Sequence, residues 1–442
     1  MRYLPSTRRG FVGGVLALAT SRTFAQAASP DVVVIGAGAA GLAAARMLQG
    51  EGKSVVVLEA ASRIGGRAYS EEETFGVPFD QGCSWLNDAA NNPLVPFART
   101  QGFDLMDHSD ASEAHYVGDR LANAAERKAR NRGWGSVERA LNKAGDAGLD
   151  VAASSVVTQG DGNTGHAETW IGPMDWGVDF SDLSTADYWN SADAGESYLV
   201  REGLGSVVAR LSEGLDVRLS TPASKIDWSG SGVQVETPKG TLRAKACIIT
   251  VSTGVLNSGA IRFTPELPVW KQEAISQVPM GLLVKIGLQF DGARLGFVPN
   301  HWLSYRVPDE TPAEACYYLT WPFEYDYTVG FAGGAFGWEL SAAGPEAAID
   351  FALGELSKMF GSDVRKHFIK GSMSDWASNP LTLGAYAAAK PGQFTARAGL
   401  ARPVGSRMFF CGEATGGEHV ALINGAYLSG ERAALEVLAG GI

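Results

Sequence analysis

One stretch near the start of the 442-residue chain constrains its architecture more than any other. Asp31-Val-Val-Val-Ile35 is a continuous β-branched run, as expected of a strand buried on both faces of a parallel sheet. It leads directly into Gly36-Ala37-Gly38-Ala39-Ala40-Gly41, then a helical segment to Gln49 and a second strand, Ser54 to Leu58, that ends at Glu59. Gly36 permits the tight turn, Gly38 lets the backbone approach a pyrophosphate, and Gly41 allows the helix to pack closely on the strand. The helix N-terminus offers unpaired N–H groups and a positive dipole end to the phosphates. Glu59 can accept hydrogen bonds from a ribose and would repel an additional 2′-phosphate. Gly-x-Gly-x-x-Gly alone is often only a loop. With strand, helix, second strand and acid in register, it reads as a dinucleotide site.

The remainder of the composition is that of a globular protein: 45% apolar, 19% charged, and rich in Gly without a Gly-X-Y period. The net charge of −11 argues against a nucleic-acid partner, which would require a basic face. An acidic surface instead attracts cations, protonated amines among them. Residues 1–27 carry Arg2, Arg8, Arg9 and Arg22 but no acid, a short apolar stretch from Phe11 to Ala19, and Ala25-Gln26-Ala27. This is the pattern of a cleaved signal, and Thr7 to Val12 resembles a twin-arginine export signal; an ordinary secretory signal is the alternative. The expected location is therefore periplasmic or secreted, with export in the folded state, and no membrane span in the mature chain. Four scattered cysteines with no C-x-x-C pair, and six scattered histidines, predict no metal site. Cys247 and Cys411 lie in apolar runs that suit small buried residues, while one disulfide stays open.

The segment after Glu59, Ala60-Ala61-Ser62-Arg63-Ile64-Gly65-Gly66-Arg67-Ala68, closely resembles the corresponding stretch of the flavin-containing amine oxidase family. The resemblance extends over nearly the whole mature chain. It includes Asp80-Gln81-Gly82-Cys83-Ser84-Trp85, the strand Gly214 to Leu219 with Ala223 and Ile226, Ile248 to Leu256, Ile261 to Pro268, and Met408-Phe409-Phe410-Cys411-Gly412-Glu413-Ala414. It implies FAD as cofactor, held by Gly36, Gly38, Ala40, Gly41, Glu59, Ala60, Gly66 and Arg67. It further implies contributions from Ser84, Trp85, Ala223, Trp376, Gly412, Glu413, Leu422 and Ile423. In the family the arginine at the position of Arg67 contacts the pyrophosphate, and the helix opened by Asn424-Gly425-Ala426 points at the pyrimidine end of the flavin. From the residues alone, Gly-Glu-Ala before a helix reads equally as a turn and cap.

Val278 to Phe290 reads as a strand, with Leu283, Lys285, Gly287 and Gln289 on one face and Leu282, Val284, Ile286, Leu288 and Phe290 on the other. The pattern by itself describes a lysine on a solvated face. The resemblance instead implies a catalytic Lys285, matching the lysine that holds a water near the flavin N5. Tyr386 matches one wall of the family's aromatic cage, where a ring face attracts an amine by about 0.5–2 kcal/mol. Leu422 stands where monoamine oxidases carry the second tyrosine. Ala385 stands where covalently flavinylated relatives have cysteine, which implies noncovalent FAD. Most of the aromatic residues between Trp302 and Tyr327 should be packing; Trp321 is the candidate for the pocket wall.

The expected fold is α/β (α+β overall): a Rossmann-like FAD-binding domain from 29–90, 197–265 and 395–442, interleaved with a mixed-sheet substrate domain from 91–196 and 266–394. The expected reaction is oxidation of a primary or secondary amine (polyamine, monoamine or alkaloid-type) to an imine that water hydrolyses, with oxygen or a periplasmic carrier as acceptor. Rival readings are an L-amino-acid oxidase, a carotenoid-type desaturase, and a non-catalytic flavoprotein partner. Oligomeric state, homodimer included, stays open.

Overall fold

The computed structural model describes residues 29–158, 163–192, 195–310 and 312–442. The signal-like segment 1–27 lies outside them. The architecture is mixed α/β, built on two principal sheets. In chain order the elements that place the site are β1 (Val32–Ile35), α1 (Ala39–Gly50), β2 (Val55–Leu58), β3 (Glu113–Val117), α2 (Ala124–Asp146), β4 (Asp216–Arg218), β5 (Ala246–Ile249), β6 (Leu283–Phe290), β7 (His301–Tyr305), β8 (Tyr317–Thr320), β9 (Tyr327–Gly333), α3 (Pro345–Phe360), β10 (Phe368–Met373), β11 (Met408–Phe410) and α4 (Ile423–Ala439).

The first sheet is wholly parallel, in the order β4-β2-β1-β5-β11. β1 is its centre, with Val32 registered against both Val55 and Ala246 and all four of its residues buried. Only a chain of β-branched residues without polar alternation tolerates such a position, which is why the sequence there is so uniform. Helices α1 and α4 cover one face. They touch backbone to backbone: a Cβ on Gly430 would stand 2.1 Å from the carbonyl oxygen of Ala40. Cys247 and Cys411 are buried here as small core residues, and all four cysteines are free thiols.

The second sheet runs β10-β6-β9-β8-β7-β3 and ends in the short strand Arg120–Leu121. It is antiparallel except where β7 pairs parallel with β3. Along β6 the expected alternation is present. Val284, Ile286, Leu288 and Phe290 join the core under α3, and Leu283, Lys285, Gly287 and Gln289 face the other way. The predicted continuous strand from Val278 is, however, divided. Met280–Gly281 pairs with Tyr386–Ala387, whereas β6 begins at Leu283. The break is at Leu282, whose N–H donates to Gly177 O at 2.8 Å and whose carbonyl accepts from Gly334 N at 3.1 Å. No helix among the described residues is long and apolar enough to cross a membrane.

Candidate active site

The loop between β1 and α1 separates glycines required by the protein from one that is not. Gly36 is left-handed at φ +109°, and a Cβ there would lie 2.4 Å from Thr250 Oγ1; a Cβ on Gly41 would lie 2.0 Å from Gly36 O. Gly38 has φ −82°, and the nearest atom to a Cβ would be Gly65 O at 3.8 Å. The fold itself would accept alanine at Gly38. The open space above it is what a pyrophosphate needs to reach the N–H groups of α1. Gly66 lies directly alongside, 3.4 Å from Gly38 Cα to its own projected Cβ. The Glu59 carboxylate is buried and accepts from Ala37 N and Ala61 N, each at 2.7 Å. Both oxygens keep a second lone pair for ribose hydroxyls. Ala60 follows it, and Ala223 lies in the core on the opposite face of the sheet from α1.

Arg67 and Glu413 form the second component. The guanidinium donates from Nη1 to Glu413 Oε1 and to Ala385 O, both at 2.8 Å, and the Glu413 carboxylate accepts from Ala387 N at 3.2 Å. Gly412, at φ +134°, makes the turn that brings Glu413 inward. Leu422 precedes α4 in an extended conformation, and Ile423 is its first residue. Asn424, wholly buried, has neither amide atom satisfied by the described residues. An orphaned donor and acceptor at a buried helix start is the condition a bound heterocycle would relieve. These residues fit FAD.

The third component is Lys285. Its Nζ donates to Asp80 O at 3.0 Å and to Ser84 Oγ at 2.6 Å, with the rings of Trp85 and Phe331 at 5.9 and 5.8 Å. Burial pushes its pKa down to about 8, against the opposing pull of the Asp80 carboxylate. Trp376 Nε1 donates to Gln81 O at 2.8 Å and holds the turn that carries Ser84 and Trp85. Tyr386 donates from its hydroxyl to Met174 O at 2.8 Å, and burial keeps its pKa well above the usual phenol range.

Trp321 does not reach this site. Continued alternation from Tyr317 and Leu319 would have directed it to the Lys285 side, but its backbone is left-handed at φ +46°. The turn sends the indole into the α3 core, fully buried, stacked on Phe297 at 5.7 Å and edge-on to Phe290 at 5.4 Å. The aromatic wall is formed instead by Trp302, stacked on Trp85 at 5.5 Å, and by Trp170, edge-on to Trp302 at 5.4 Å. Trp302 was legible as an alternating strand position. Trp170 opens a π-helix, Trp170–Trp176, whose one local warning is the internal Pro173.

The fold also assembles a group that the scattered histidines did not foreshadow. Ligand-type atoms of Glu113, His115 and His166 lie within 4.8 Å of one another. Arg130 already meets the Glu113 carboxylate at 2.6 Å, and Ser304 bonds both Glu113 and His115. The Arg130 guanidinium thus already offsets the carboxylate's charge, and the His166 ring packs against Tyr317 and Trp170.

Comparison with known proteins agrees with this geometry. The family model described as flavin containing amine oxidoreductase matches residues 39–170 and 175–438. Polyamine oxidase 4 of Oryza sativa subsp. japonica is 31% identical over 450 residues, covering 93% of this chain and 89% of its own length. Lysine-specific histone demethylase 2 of Homo sapiens is 27% identical over 481 residues, 98% of this chain and 57% of its own. Among solved structures, wild-type putrescine oxidase bound to putrescine shares the fold at a TM-score of 0.74, with 22% identity, 93% of this chain and 99% of that one covered. Cyclohexylamine oxidase from Brevibacterium oxydans IH-35A does so at 0.72, with the same identity and coverage. The chain belongs to the flavin-containing amine oxidoreductase family and is an FAD-dependent enzyme acting on amines.

Proposed function

We propose that the protein oxidises a primary or secondary amine at its α-carbon to an imine, which water then hydrolyses to an aldehyde or ketone. One observation carries this reading. The Arg67–Glu413 pair is hydrogen-bonded both to Ala385 O and to Ala387 N, so the loop that closes on the dinucleotide and the strand that presents Tyr386 are one unit. Gly36, Gly38, Gly41, Glu59, Gly66 and Arg67 would hold FAD along its phosphates and ribose; Ser84, Trp85, Trp376 and the start of α4 would hold the ring. FAD supplies the two-electron acceptor. The protein's own work is to bind the amine against Tyr386, exclude bulk water with Trp85 and Trp302, and keep a protonatable amine, Lys285, beside the reacting centre. With a pKa near 8, Lys285 can hold a water by donating or accepting a proton at neutral pH.

Polyamine, putrescine and cyclohexylamine oxidases among the relatives support an alkylamine substrate. Alanine at 385 supports noncovalent FAD, which acid precipitation would release into the supernatant. Oxygen is the proposed acceptor, a periplasmic carrier the alternative. The arginine pair and Ala25-Gln26-Ala27 support export of the loaded protein by the twin-arginine route, and N-terminal sequencing of the exported form would then begin at Ala28. The deciding experiment is anaerobic mixing of the purified yellow protein with spermidine, a monoamine, nicotine and an L-amino acid. Bleaching of the flavin bands by an amine is expected. A protein that takes up no FAD, or bleaches with the amino acid alone, overturns the reading.

A further inference from the structure

A second buried ion pair stands behind the site, and the reaction as described so far makes no use of it. Arg397 lies on the short helix Ala396–Ala401 and Asp187 on the short helix Thr185–Trp189, and both residues are buried. The pairing is bidentate: Arg397 Nε donates to Asp187 Oδ1 and Nη2 to Oδ2, each at 2.6 Å. Two further bonds of the fork go to backbone carbonyls, from Nη2 to Ala387 O and from Nη1 to Ala414 O, both at 2.9 Å. Ala387 directly follows Tyr386, and Ala414 directly follows Glu413. One planar guanidinium therefore sets the spacing between the strand that presents Tyr386 and the turn that carries Glu413.

The backbone on both sides of Tyr386 is bound to charged groups. Ala385 O accepts from Arg67, Ala387 N donates to Glu413, Ala387 O accepts from Arg397, and Ala389 N donates to Asp187 Oδ2 at 2.8 Å. Asp187 is itself held in place. Ser184 caps its helix by accepting from Asp187 N, and the Ser184 hydroxyl donates to Asp150, which also accepts from Gly392 N and Phe394 N. A buried ion pair is an expensive way to fill a core, because desolvation offsets much of the attraction and packed apolar side chains often serve as well. What apolar side chains lack is direction. Charge-assisted bonds run at fixed angles to chosen atoms.

We propose that Arg397 and Asp187 are positioning residues for amine oxidation, holding Tyr386 at one fixed spacing from the Glu413 turn. This rests on the amine-oxidation reading, in which the amine lies against Tyr386 and FAD is held in part by Arg67 and Glu413. Neither member of the pair touches the reacting atoms. Their contribution is alignment: a reactant misplaced by about 1 Å can lose about 100-fold in rate while keeping most of its binding contacts.

Arg397→Lys and Asp187→Glu keep both charges and change only the geometry between them. In each, read on the folded and FAD-loaded fraction, the limiting rate of anaerobic flavin reduction by a reactive amine should fall by about tenfold or more. The half-saturating amine concentration should move by less than about threefold. A pair that only braces the fold would lower the urea midpoint and leave that limiting rate at its wild-type value, which would overturn the proposal. Hydrogen exchange on the FAD-loaded wild type needs neither an amine nor a tolerated variant. The peptides 184–190, 385–390 and 412–416 should open as one unit with a common protection. Independent exchange of 184–190 would also overturn the assignment. If no amine bleaches the wild type, the amine-oxidation reading fails by itself, and the exchange pattern still decides whether the pair joins the three stretches.

Discussion

Lys285 is a lysine on the inward face of a sheet strand, satisfied by a backbone carbonyl and a serine instead of by a carboxylate. Its placement costs desolvation, and the absence of a direct ion pair among its hydrogen bonds means that structure alone does not repay it. Replacing it by methionine, which fills similar volume without a charge, should therefore leave the fold and FAD content intact while slowing turnover by about tenfold or more. Stopped-flow reduction and reoxidation of the flavin would locate the loss, and unchanged turnover would make Lys285 an ordinary strand residue. Arg67 acts differently. Its removal leaves the Glu413 carboxylate buried without its cation, so Arg67→Ala should weaken FAD retention more than it weakens the chemistry of whatever FAD remains bound. Equilibrium dialysis of flavin against protein would show this as a raised FAD dissociation constant.

Helices and strands carry the next set of consequences. The α1–α4 contact has no room for a methyl at Gly430, since the clash is with the Ala40 carbonyl and not with a mobile side chain. Gly430→Ala should destabilise the protein by roughly 1–3 kcal/mol, measured as a lowered urea midpoint. Because Ala40 belongs to the first turn of the phosphate-facing helix, the same variant should also lose FAD affinity. At this scale the sequence was most readable where local rules and burial agree. The run Asp31–Ile35 could only be a central parallel strand, and the β6 alternation follows from one face packing on α3. It was least readable where backbone conformation departs from the local repeat. The left-handed Trp321 moves one indole from one side of a sheet to the other. The π-turn at Trp170–Trp176 sets the Trp170 indole edge-on to Trp302, a contact that no helical or strand period announces. The interruption at Leu282 answers to Gly177 and Gly334, more than fifty residues away on each side.

For the whole molecule, bound FAD is a contribution to stability that can be added or withdrawn. Free FAD at a hundred times its dissociation constant should stabilise the folded state by about 2.7 kcal/mol, seen as a rise in Tm with flavin concentration. Acid should act in the opposite direction through His115. Burial, followed by the Arg130 charge, pushes its pKa down to about 4, below the 6.5 of the free side chain. Between these values the unfolded chain binds the extra proton, so stability falls as pH is lowered from about 6.5 toward 4. Urea midpoints at pH 7.5, 5.5 and 4.5 should decline in order, and His115→Gln should flatten that decline. Charge and composition indicated none of this; they excluded a basic, nucleic-acid-binding surface and went no further.

The parallel sheet has a consequence in time as well as in space. β1, β2, β4 and β5 are complete by residue 249, but the outer strand β11 and the Gly412–Glu413 turn belong to the last few dozen residues of the chain. A ribosome making this protein therefore spends more than a third of the sequence holding an edge on β5 that has no neighbour, and an Arg67 that has no carboxylate to meet. Cofactor capture must then wait until β11 and the Gly412–Glu413 turn have been made, and the half-made protein is the form that a chaperone would have to recognise.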